Sequence, residues 1–410
     1  MTIPALLPLR NGVQRYAWGS PTAIPELLGR EPDGEPVAEV WIGAHPVQPS
    51  TVEVDGAERG LDDLAAERPD EVLGAAVIER FGGFPYLAKL LAAAQPLSLQ
   101  AHPSIEQAEA GFDREEIAGV AVDAPNRCYR DRNHKPELIV ALTDFEALCG
   151  FRPLVDAIEL LRSVGGELTR PWIEVLETTP PGEGCLVVMA GVLDLPAEEG
   201  AALAAEVATG LRALAAADGD RWATTARLLI EIGELHPTDP GIVVAALLED
   251  VRLAPGEALF LGAGNLHAYV RGLGVEVMAS SDNVLRGGLT PKHVDVAELC
   301  DVVRPVIEPV PVVRPVDVAP GRAEYPVPVE DFSVSRVRPD AATSVDLDVG
   351  GPTVVLVTDG ACRVDAPGSD GVDLGPGDAV LAVPASERIT CTGEGTAWVV
   401  AASPGRASRS

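Results

Sequence analysis

The chain of 410 residues contains an internal repeat that restricts the folds it can adopt. Residues 253–260 read Leu-Ala-Pro-Gly-Glu-Ala-Leu-Phe, and residues 374–381 read Leu-Gly-Pro-Gly-Asp-Ala-Val-Leu. Each copy places a Pro-Gly turn before a short apolar run, a pattern typical of a buried strand. The repeat therefore predicts two related β-rich units, the second of them near the C-terminal end.

Only the first copy is followed by a histidine. The two copies are 121 residues apart, and at that offset His267 corresponds to Arg388. Histidine can bind a metal as the neutral imidazole, whereas arginine keeps its charge. We therefore expect the second unit to be structural and to lack a metal site.

The pattern of apolar, proline and glycine residues changes several times along the chain. From Pro153 to about residue 250, apolar residues recur at helical spacing, and strand-like sequence returns at Val251. A proline-rich connector begins at Pro305, and short Val-rich runs with Gly/Asp turns occupy 330–402. These changes predict a metal-binding domain formed by 1–152 and 251–304, an inserted helical domain at 153–250, and a C-terminal domain at 305–410.

The charge of the chain excludes some classes of partner. Its formal net charge is −31, which disfavours nucleic acid and anionic membranes. No apolar run has the length of a membrane span, the N-terminus does not read as a signal peptide, and the six cysteines form no C-x-x-C pair. We expect a cytoplasmic protein that acts as a monomer, and any site for an anion must depend on a local cluster of cations.

Three polar stretches supply residues with metal-ligand and anion-binding chemistry. They are Gln100-Ala-His102-Pro103, Asn133-His134-Lys135-Pro136-Glu137, and the segment 265–295, which contains His267, Glu276, Arg286 and Lys292. Gln100 and His102 are two apart in a predicted strand and so share a face. Two histidines, a carboxylate and an amide could hold Zn²⁺, Mn²⁺, Fe²⁺ or Co²⁺. Taken singly, His267, Gln100 and Glu137 would each be read as ordinary core or surface residues.

Five motifs in order resemble the type I mannose-6-phosphate isomerase (phosphomannose isomerase) family. They are Tyr16-Ala-Trp18-Gly19-Ser20, Glu39-Val-Trp41-Ile-Gly43-Ala-His45-Pro46, Pro96-Leu-Ser98-Leu-Gln100-Ala-His102-Pro103, the 133–137 stretch, and the 283–292 segment ending at Lys292. The resemblance implies a zinc-dependent aldose–ketose isomerase that interconverts mannose 6-phosphate and fructose 6-phosphate through an enediolate. It also implies one Zn²⁺ per chain, held by Gln100, His102, Glu137 and His267. The repeat is similar to that of cupins, so we expect a mainly β fold with an inserted α-helical domain and two cupin-type (double-stranded β-helix) domains.

The expected roles of the remaining residues follow from this resemblance and from the chemistry of proton transfer. Arg286 is the leading catalytic candidate, although an arginine in a Gly-rich loop can also form a surface salt bridge. Lys135 and Glu276 are the candidates for moving the proton between C1 and C2, and the choice between them stays open. The candidates for binding the substrate are Ser98, Tyr269, Lys292 and His134.

Two other functions compete with this interpretation. One is a cupin dioxygenase with two histidines and a carboxylate on Fe(II), which would leave Arg286, Lys292 and Lys135 unexplained. The other is a non-catalytic sugar-phosphate-binding cupin, which predicts an incomplete set of ligands, whereas all four positions are present.

Overall fold

The fold is known from a computed structural model that describes residues 3–217 and 219–405. Those residues form two large antiparallel sheets, one small hairpin and twelve α-helices. The strands are β1 (Leu6–Leu9), β2 (Gly12–Gln14), β3 (Glu39–Gly43), β4 (Thr51–Val54), β5 (Ala57–Gly60), β6 (Tyr86–Ala93), β7 (Gln100–Ala101), β8 (Glu137–Ala141), β9 (Phe145–Phe151), β10 (Leu248–Leu253), β11 (Ala258–Leu261), β12 (His267–Ala279), β13 (Leu285–Arg286), β14 (Val312–Val313), β15 (Val316–Ala319), β16 (Arg322–Tyr325), β17 (Ser333–Val337), β18 (Val345–Asp348), β19 (Thr353–Asp365), β20 (Val372–Leu374), β21 (Ala379–Ala382) and β22 (Arg388–Ala401). The helices are α1 (Ala23–Leu27), α2 (Leu61–Glu67), α3 (Pro69–Val72), α4 (Ala75–Phe81), α5 (Ile105–Ile117), α6 (Leu154–Val164), α7 (Arg170–Thr178), α8 (Pro181–Leu193), α9 (Ala197–Ala216), α10 (Ala223–Leu235), α11 (Gly241–Ala246) and α12 (Val296–Val302).

The first large sheet contains every strand from which a metal ligand was predicted. Its main path runs β14-β11-β8-β12-β6-β3-β2, and β7, β9, β10 and β13 attach beside it. All eight residues of β6 are buried. A strand covered on both faces needs apolar side chains in both directions, which explains why this run does not alternate.

Strand β12 is the longest in this sheet and joins its parts. Its first residues pair with β7 and β9, and its later residues pair with β6 and β8. A bulge between Tyr269 and Arg271 gives β12 one residue more than β9 at that point. His267 and Glu276 are nine residues apart, so a regular strand would point their side chains to opposite faces. The bulge offsets this odd spacing, and both side chains face the same interior region.

Helices α6 to α11 follow one another between β9 and β10. Helix α6 starts directly after Pro153, and α9 lies within the range from Pro153 to about residue 250 that was predicted to be helical. Their apolar faces form one core with side chains next to the candidate site, including Leu266 and Leu285. Among the helices of the described ranges, none is long and apolar enough to cross a membrane.

The second large sheet is built mainly from the C-terminal part of the chain. Its order is β1-β21-β19-β22-β17-β16-β15, with β18 on β22 and β20 on β19. Strand β1 comes from the N-terminus and pairs with β21, so the sheet crosses the predicted sequence boundaries. The Tyr86 hydroxyl, from the first sheet, lies 3.0 Å from the Pro352 carbonyl and 2.9 Å from the Val400 carbonyl. The two sheets therefore pack through a shared buried core.

The repeat found in the sequence corresponds to two matching strand pairs. Strands β11 and β21 are offset by the same 121 residues as the sequence motifs, and His267 and Arg388 are the first residues of β12 and β22. Their surroundings differ, because His267 is buried whereas Arg388 is exposed and lies 3.4 Å from Asp348. The position equivalent to His267 is therefore a surface position.

Candidate active site

The pairing of three strands aligns the central residues of the site. Gln100 in β7 is paired with His267 of β12 on one side and with Arg286 of β13 on the other. Residues directly opposite each other in neighbouring strands project to the same face of a sheet. Two strand spacings separate His267 from Arg286, which is about 10 Å between their backbones. The register thus places an imidazole, an amide and a guanidinium in one row.

His102, Glu137 and His267 form a group with the composition of a metal site. One ligand atom from each lies within 4.8 Å of the others, and all three side chains are buried. The Nε2 atoms of His102 and His267 are 3.3 Å and 3.4 Å from Glu137 oxygens. His102 Nε2 and Glu137 Oε2 make no hydrogen bond with the described residues. Because unpaired buried polar atoms are costly, these atoms fit a bound divalent cation.

Gln100 adjoins this group. Its side-chain nitrogen lies 3.3 Å from His267 Nε2. The two ends of a glutamine amide exchange places by rotation about one bond, so its oxygen can occupy the same position. The structure therefore brings together the four residues that the sequence nominated as metal ligands.

Backbone carbonyls orient both histidines. His102 Nδ1 lies 2.7 Å from the carbonyl of Asn283, and His267 Nδ1 lies 3.0 Å from the carbonyl of Asn265. A carbonyl can only accept, so each Nδ1 bears the proton and each Nε2 presents its lone pair to the site. Burial lowers the pKa of His102 to about 4, which keeps its imidazole neutral.

Asn283 fixes the segment that precedes Glu137 and was not identified from the sequence. Its side chain is fully buried, accepts from the Arg130 amide and donates to the carbonyls of Asp131 and Asn133. Asparagine is common in loops, so no local sequence signal separates this residue from an ordinary turn residue.

Lys135 lies next to the candidate ligand Glu137. Its ammonium is 3.0 Å from Glu137 Oε1, and both side chains are almost fully buried. Burial alone would raise the pKa of Glu137, but Lys135 and the two histidines outweigh it and hold that pKa well below its usual value. Glu137 is therefore a carboxylate, the form that a metal requires.

A second buried ion pair lies beside the metal group and was missed in the sequence. Lys89 is 2.9 Å from Glu276 and 3.6 Å from Glu39, whose other oxygen accepts from Trp41 Nε1 at 2.7 Å. Burial raises the pKa of Glu276, and the Lys89 charge only partly opposes this effect. A signal was present, because Lys89 is the single charged residue within the apolar strand β6.

The hydroxyl of Tyr269 is also buried in this region. It lies near the carboxylates of Glu276 and Glu137 but makes no hydrogen bond of ordinary geometry with the described residues. Burial raises the pKa of Tyr269 well above its usual value, so the hydroxyl stays protonated and can donate.

The charges of the buried centre do not balance. Glu39, Glu137 and Glu276 supply three carboxylates, against the two ammonium groups of Lys89 and Lys135. If both imidazoles are neutral, as metal ligands must be, this leaves an excess of negative charge in a low-dielectric region. A divalent cation among His102, Glu137 and His267 would reverse that excess, which is a second reason why the residues fit a metal.

At the other end of the row lies a group of cations that form no ion pair with the part of the chain that the structure describes. Arg286 donates to Ser98 Oγ at 3.1 Å, and neither Arg286 nor Lys292 forms an ion pair within residues 3–217 and 219–405. The pKa of Lys292 is lowered, chiefly by the nearby charge of Arg286. The pKa of Arg286 is lowered first by burial and then by the charge of Arg130. Arg130 was not identified from the sequence and is the third member of this cluster. Three cations at one place favour an anionic ligand.

His134 points away from the metal group. Its Nε2 lies 3.0 Å and 3.1 Å from the two carboxylate oxygens of Asp331, a residue of the C-terminal part. Both residues line a cavity of about 760 Å³ whose walls do not include the metal group. The structure therefore does not bring His134 together with the other predicted substrate-binding residues.

Known proteins of similar sequence and structure give a consistent result. Residues 6–154 match the model of the phosphomannose isomerase type I catalytic domain. The chain is 39% identical over 391 residues to mannose-6-phosphate isomerase from Escherichia coli strain K12, covering 94% of this chain and 97% of that protein. It is 42% identical over 330 residues to mannose-6-phosphate isomerase from Salmonella typhimurium strain LT2, covering 80% of this chain and 82% of that protein.

A solved structure also superposes on nearly the whole chain. Mannose 6-phosphate isomerase from Salmonella typhimurium, bound to its substrate fructose 6-phosphate and zinc, aligns with a TM-score of 0.87 and 35% identity. The alignment covers 97% of this chain and 100% of that one. Identity above 30% across almost the full length, together with the same fold, settles the family. The chain belongs to the type I phosphomannose isomerase family of enzymes.

Proposed function

We propose that this protein is a zinc-dependent isomerase that interconverts mannose 6-phosphate and fructose 6-phosphate. One Zn²⁺ per chain would be held by Gln100, His102, Glu137 and His267. The relatives in this family are mannose-6-phosphate isomerases, and a structure among them contains zinc and fructose 6-phosphate. The proposal applies that activity to the residues of this chain.

One observation carries the proposal. The pairing of His267 with Gln100, and of Gln100 with Arg286, sets on one face a metal-ligand group and a cation that has no ion-pair partner among the described residues. A phosphorylated sugar has its reacting carbons at one end and a dianionic phosphate at the other. A site for such a molecule needs a group that activates the reacting carbons and, at the distance of the phosphate, a cation that binds it.

The reacting end of the sugar would lie beside the metal ligands. When bound, zinc supplies Lewis acidity toward the oxygens at C1 and C2. Tyr269 keeps its proton and can donate a hydrogen bond to a sugar oxygen. The surrounding apolar residues exclude water, which strengthens these electrostatic interactions.

Proton transfer between C1 and C2 requires a group that can accept and return a proton. Glu276, with its raised pKa, and Lys135, next to Glu137, are the two candidates. Lys89 contacts Glu276, and its positive charge favours the ionised form of that carboxylate, which burial disfavours. An enediolate is the species that such a transfer would form, with its negative charge on the two oxygens.

The phosphate would bind at the cation cluster. Lys292 and Arg130 are exposed and can reach an entering ligand, and Ser98 holds Arg286 in place through its hydroxyl. Arg286 lies nearest to the ligand strand β7, so its charge also acts on oxyanions formed during the reaction. A local group of cations is needed because the whole chain is strongly acidic.

The architecture behind this function is also proposed. We infer that each large sheet belongs to a cupin-type double-stranded β-helix, supported by the repeated turn-and-strand pairs at 253–279 and 374–401. The proposed division is a catalytic domain of 1–152 and 251–304, a helical insertion at 153–250, and a C-terminal domain at 305–410 without a metal site. We further propose that the protein acts as a monomer in the cytoplasm.

A coupled assay with mannose 6-phosphate tests the function directly. The purified protein should convert mannose 6-phosphate to fructose 6-phosphate, and its zinc content should be about one per chain. Absence of conversion by zinc-loaded protein, or the same rate in protein verified to be free of metal, would contradict the proposal.

A further inference from the structure

A side-chain contact at hydrogen-bond distance, between His134 and Asp331, connects the segment before Glu137 to the C-terminal sheet. His134 lies three residues before β8 of the first large sheet, and Asp331 lies two residues before β17 of the second. Asp331 is 4% exposed, and within the described residues His134 is the only side chain that hydrogen-bonds to it. A buried carboxylate is costly without a donor, so each of these two residues stabilises the position of the other.

The Asp331 end of this contact is rigid. The next residue, Phe332, is fully buried in the core shared by the two sheets. The preceding residue, Glu330, accepts a hydrogen bond from the Ser403 amide at its carbonyl and one from Arg80 at its carboxylate. Asp331 is thus held from both sides by the packed core and by the sheet edge.

The His134 end belongs to a segment without regular structure that leads into the site. Residues 131–136 form no strand, although Asp131 and Asn133 are hydrogen-bonded to the 280–283 segment. His134 is the residue directly before Lys135, whose ammonium contacts Glu137. Any drift of this segment would therefore move Lys135 relative to Glu137.

We propose that Asp331 is a positioning residue, which acts through His134 to hold Lys135 and Glu137 in their working geometry. The C-terminal unit then contributes to the geometry of the site through Asp331, although it contains no proposed metal ligand. This inference rests on the proposed function for its kinetic consequences. Its structural part, restraint of residues 133–137, stands independently of the substrate.

Three variants distinguish a specific restraint on residues 133–137 from a general loss of contact between the C-terminal unit and the rest of the chain. Asp331→Ala removes the contact, and Asp331→Asn keeps a side chain of the same shape whose oxygen can still accept from His134. Glu330→Gln is the matched control, since it weakens the neighbouring ion pair with Arg80, another link to the first part of the chain, without touching 131–136. Each variant should be assayed for kcat, KM and melting temperature, and for hydrogen exchange in the peptide covering 131–137.

The expected results differ among the three variants. Asp331→Ala should lower kcat about tenfold, as loss of a partner that orients a site commonly does, with a change in KM below about twofold. Exchange in 131–137 should become faster. Asp331→Asn should recover most of the lost kcat, and Glu330→Gln should match the wild type in kcat and in exchange, whatever its melting temperature.

Several outcomes would overturn the inference. Unchanged exchange at 131–137 in Asp331→Ala would show that the segment does not depend on this contact. An equal loss of kcat in Glu330→Gln would show that general attachment is responsible. If the wild type proves inactive on mannose 6-phosphate, the proposed function fails, and the exchange comparison alone still decides whether Asp331 restrains the segment.

Discussion

Nζ of Lys89 lies 2.9 Å from Oε2 of Glu276, and both side chains are buried beside the candidate metal group. Lys89→Met should therefore leave Glu276 and Glu39 without their cationic partner, although Glu39 keeps its hydrogen bond from Trp41. Breaking a buried pair on one side costs about 3–5 kcal/mol, so the free energy of unfolding should fall by that order. Isomerase activity should fall as well, because without the Lys89 charge the pKa of Glu276 would rise further and its carboxyl group would hold its proton more strongly. Chemical denaturation and initial rates measure the two effects.

The double variant Lys89→Met/Glu276→Gln provides the control for this prediction. It removes both charges of the pair, so stability should recover in part while activity stays low. Wild-type stability in the single variant would mean that the pair is not coupled as its geometry indicates.

Removal of the metal should abolish turnover, and added zinc should restore it. His267→Ala and Glu137→Ala should each reduce zinc affinity by more than about a hundredfold, since each removes a strong ligand. Gln100→Ala should reduce it less, because a neutral amide binds a dication more weakly. Zinc titration monitored by calorimetry gives the affinities. His236→Ala, a change in the helical region away from the site, should retain wild-type affinity.

The two cations at the phosphate end should affect different kinetic constants. Arg286→Ala should lower kcat by about 10²–10³, as loss of a charge-stabilising donor does elsewhere. Lys292→Ala should act mainly on KM, because the phosphate charge is the same in the ground state and the transition state. The reverse pattern in steady-state kinetics would mean that the two roles are exchanged.

Arg130 offers a matched pair with Arg132 on the same loop. Arg130→Gln should raise KM for mannose 6-phosphate several-fold, about 1 kcal/mol of binding, because it removes one of three cations near the phosphate. Arg132 instead pairs with Asp113 on α5, so Arg132→Gln should leave KM unchanged. Equal effects of the two changes would place Arg130 outside the phosphate site.

The C-terminal repeat should tolerate loss of the residue that corresponds to His267. Arg388 is exposed and contacts only Asp348 through its side chain among the described residues. Arg388→Ala should thus leave zinc content and kcat at wild-type values, and its stability should change by less than about 1 kcal/mol. Loss of zinc in this variant would show that the repeat had been aligned incorrectly.

Parts of the structure were predictable because they depend on local patterns. Helix α9 (Ala197–Ala216) is an uninterrupted Ala/Leu/Glu-rich run inside the region that was predicted to be helical. Gln100 and His102 were predicted to share a face because side chains alternate in an extended chain, and both lie next to His267 in the structure. The candidate metal ligands could be nominated because their motifs resemble those of a known family.

Other parts depend on contacts between distant segments, which one sequence does not specify. Lys89 is separated from Glu276 by 187 residues, and His134 from Asp331 by 197. Each contact exists only after the strands adopt their register and the two sheets pack together. For that reason Lys89, Arg130 and Asp331 were not identified, and His134 was expected at the substrate although its imidazole contacts Asp331.

The bulge in β12 makes the length of this strand as important as its composition. Deleting Val270 would remove the extra residue together with the bulge, so His267 and Glu276 would be eight residues apart in a regular strand and would stay on the same side. Deleting one residue between the bulge and Glu276 would instead leave the bulge in place and turn Glu276 to the opposite side. Replacing Val270 with another aliphatic residue would keep that phase. In engineering or in evolution, substitutions within β12 can therefore change the site gradually, whereas a one-residue insertion or deletion between the bulge and Glu276 separates the two ends of the site in a single step.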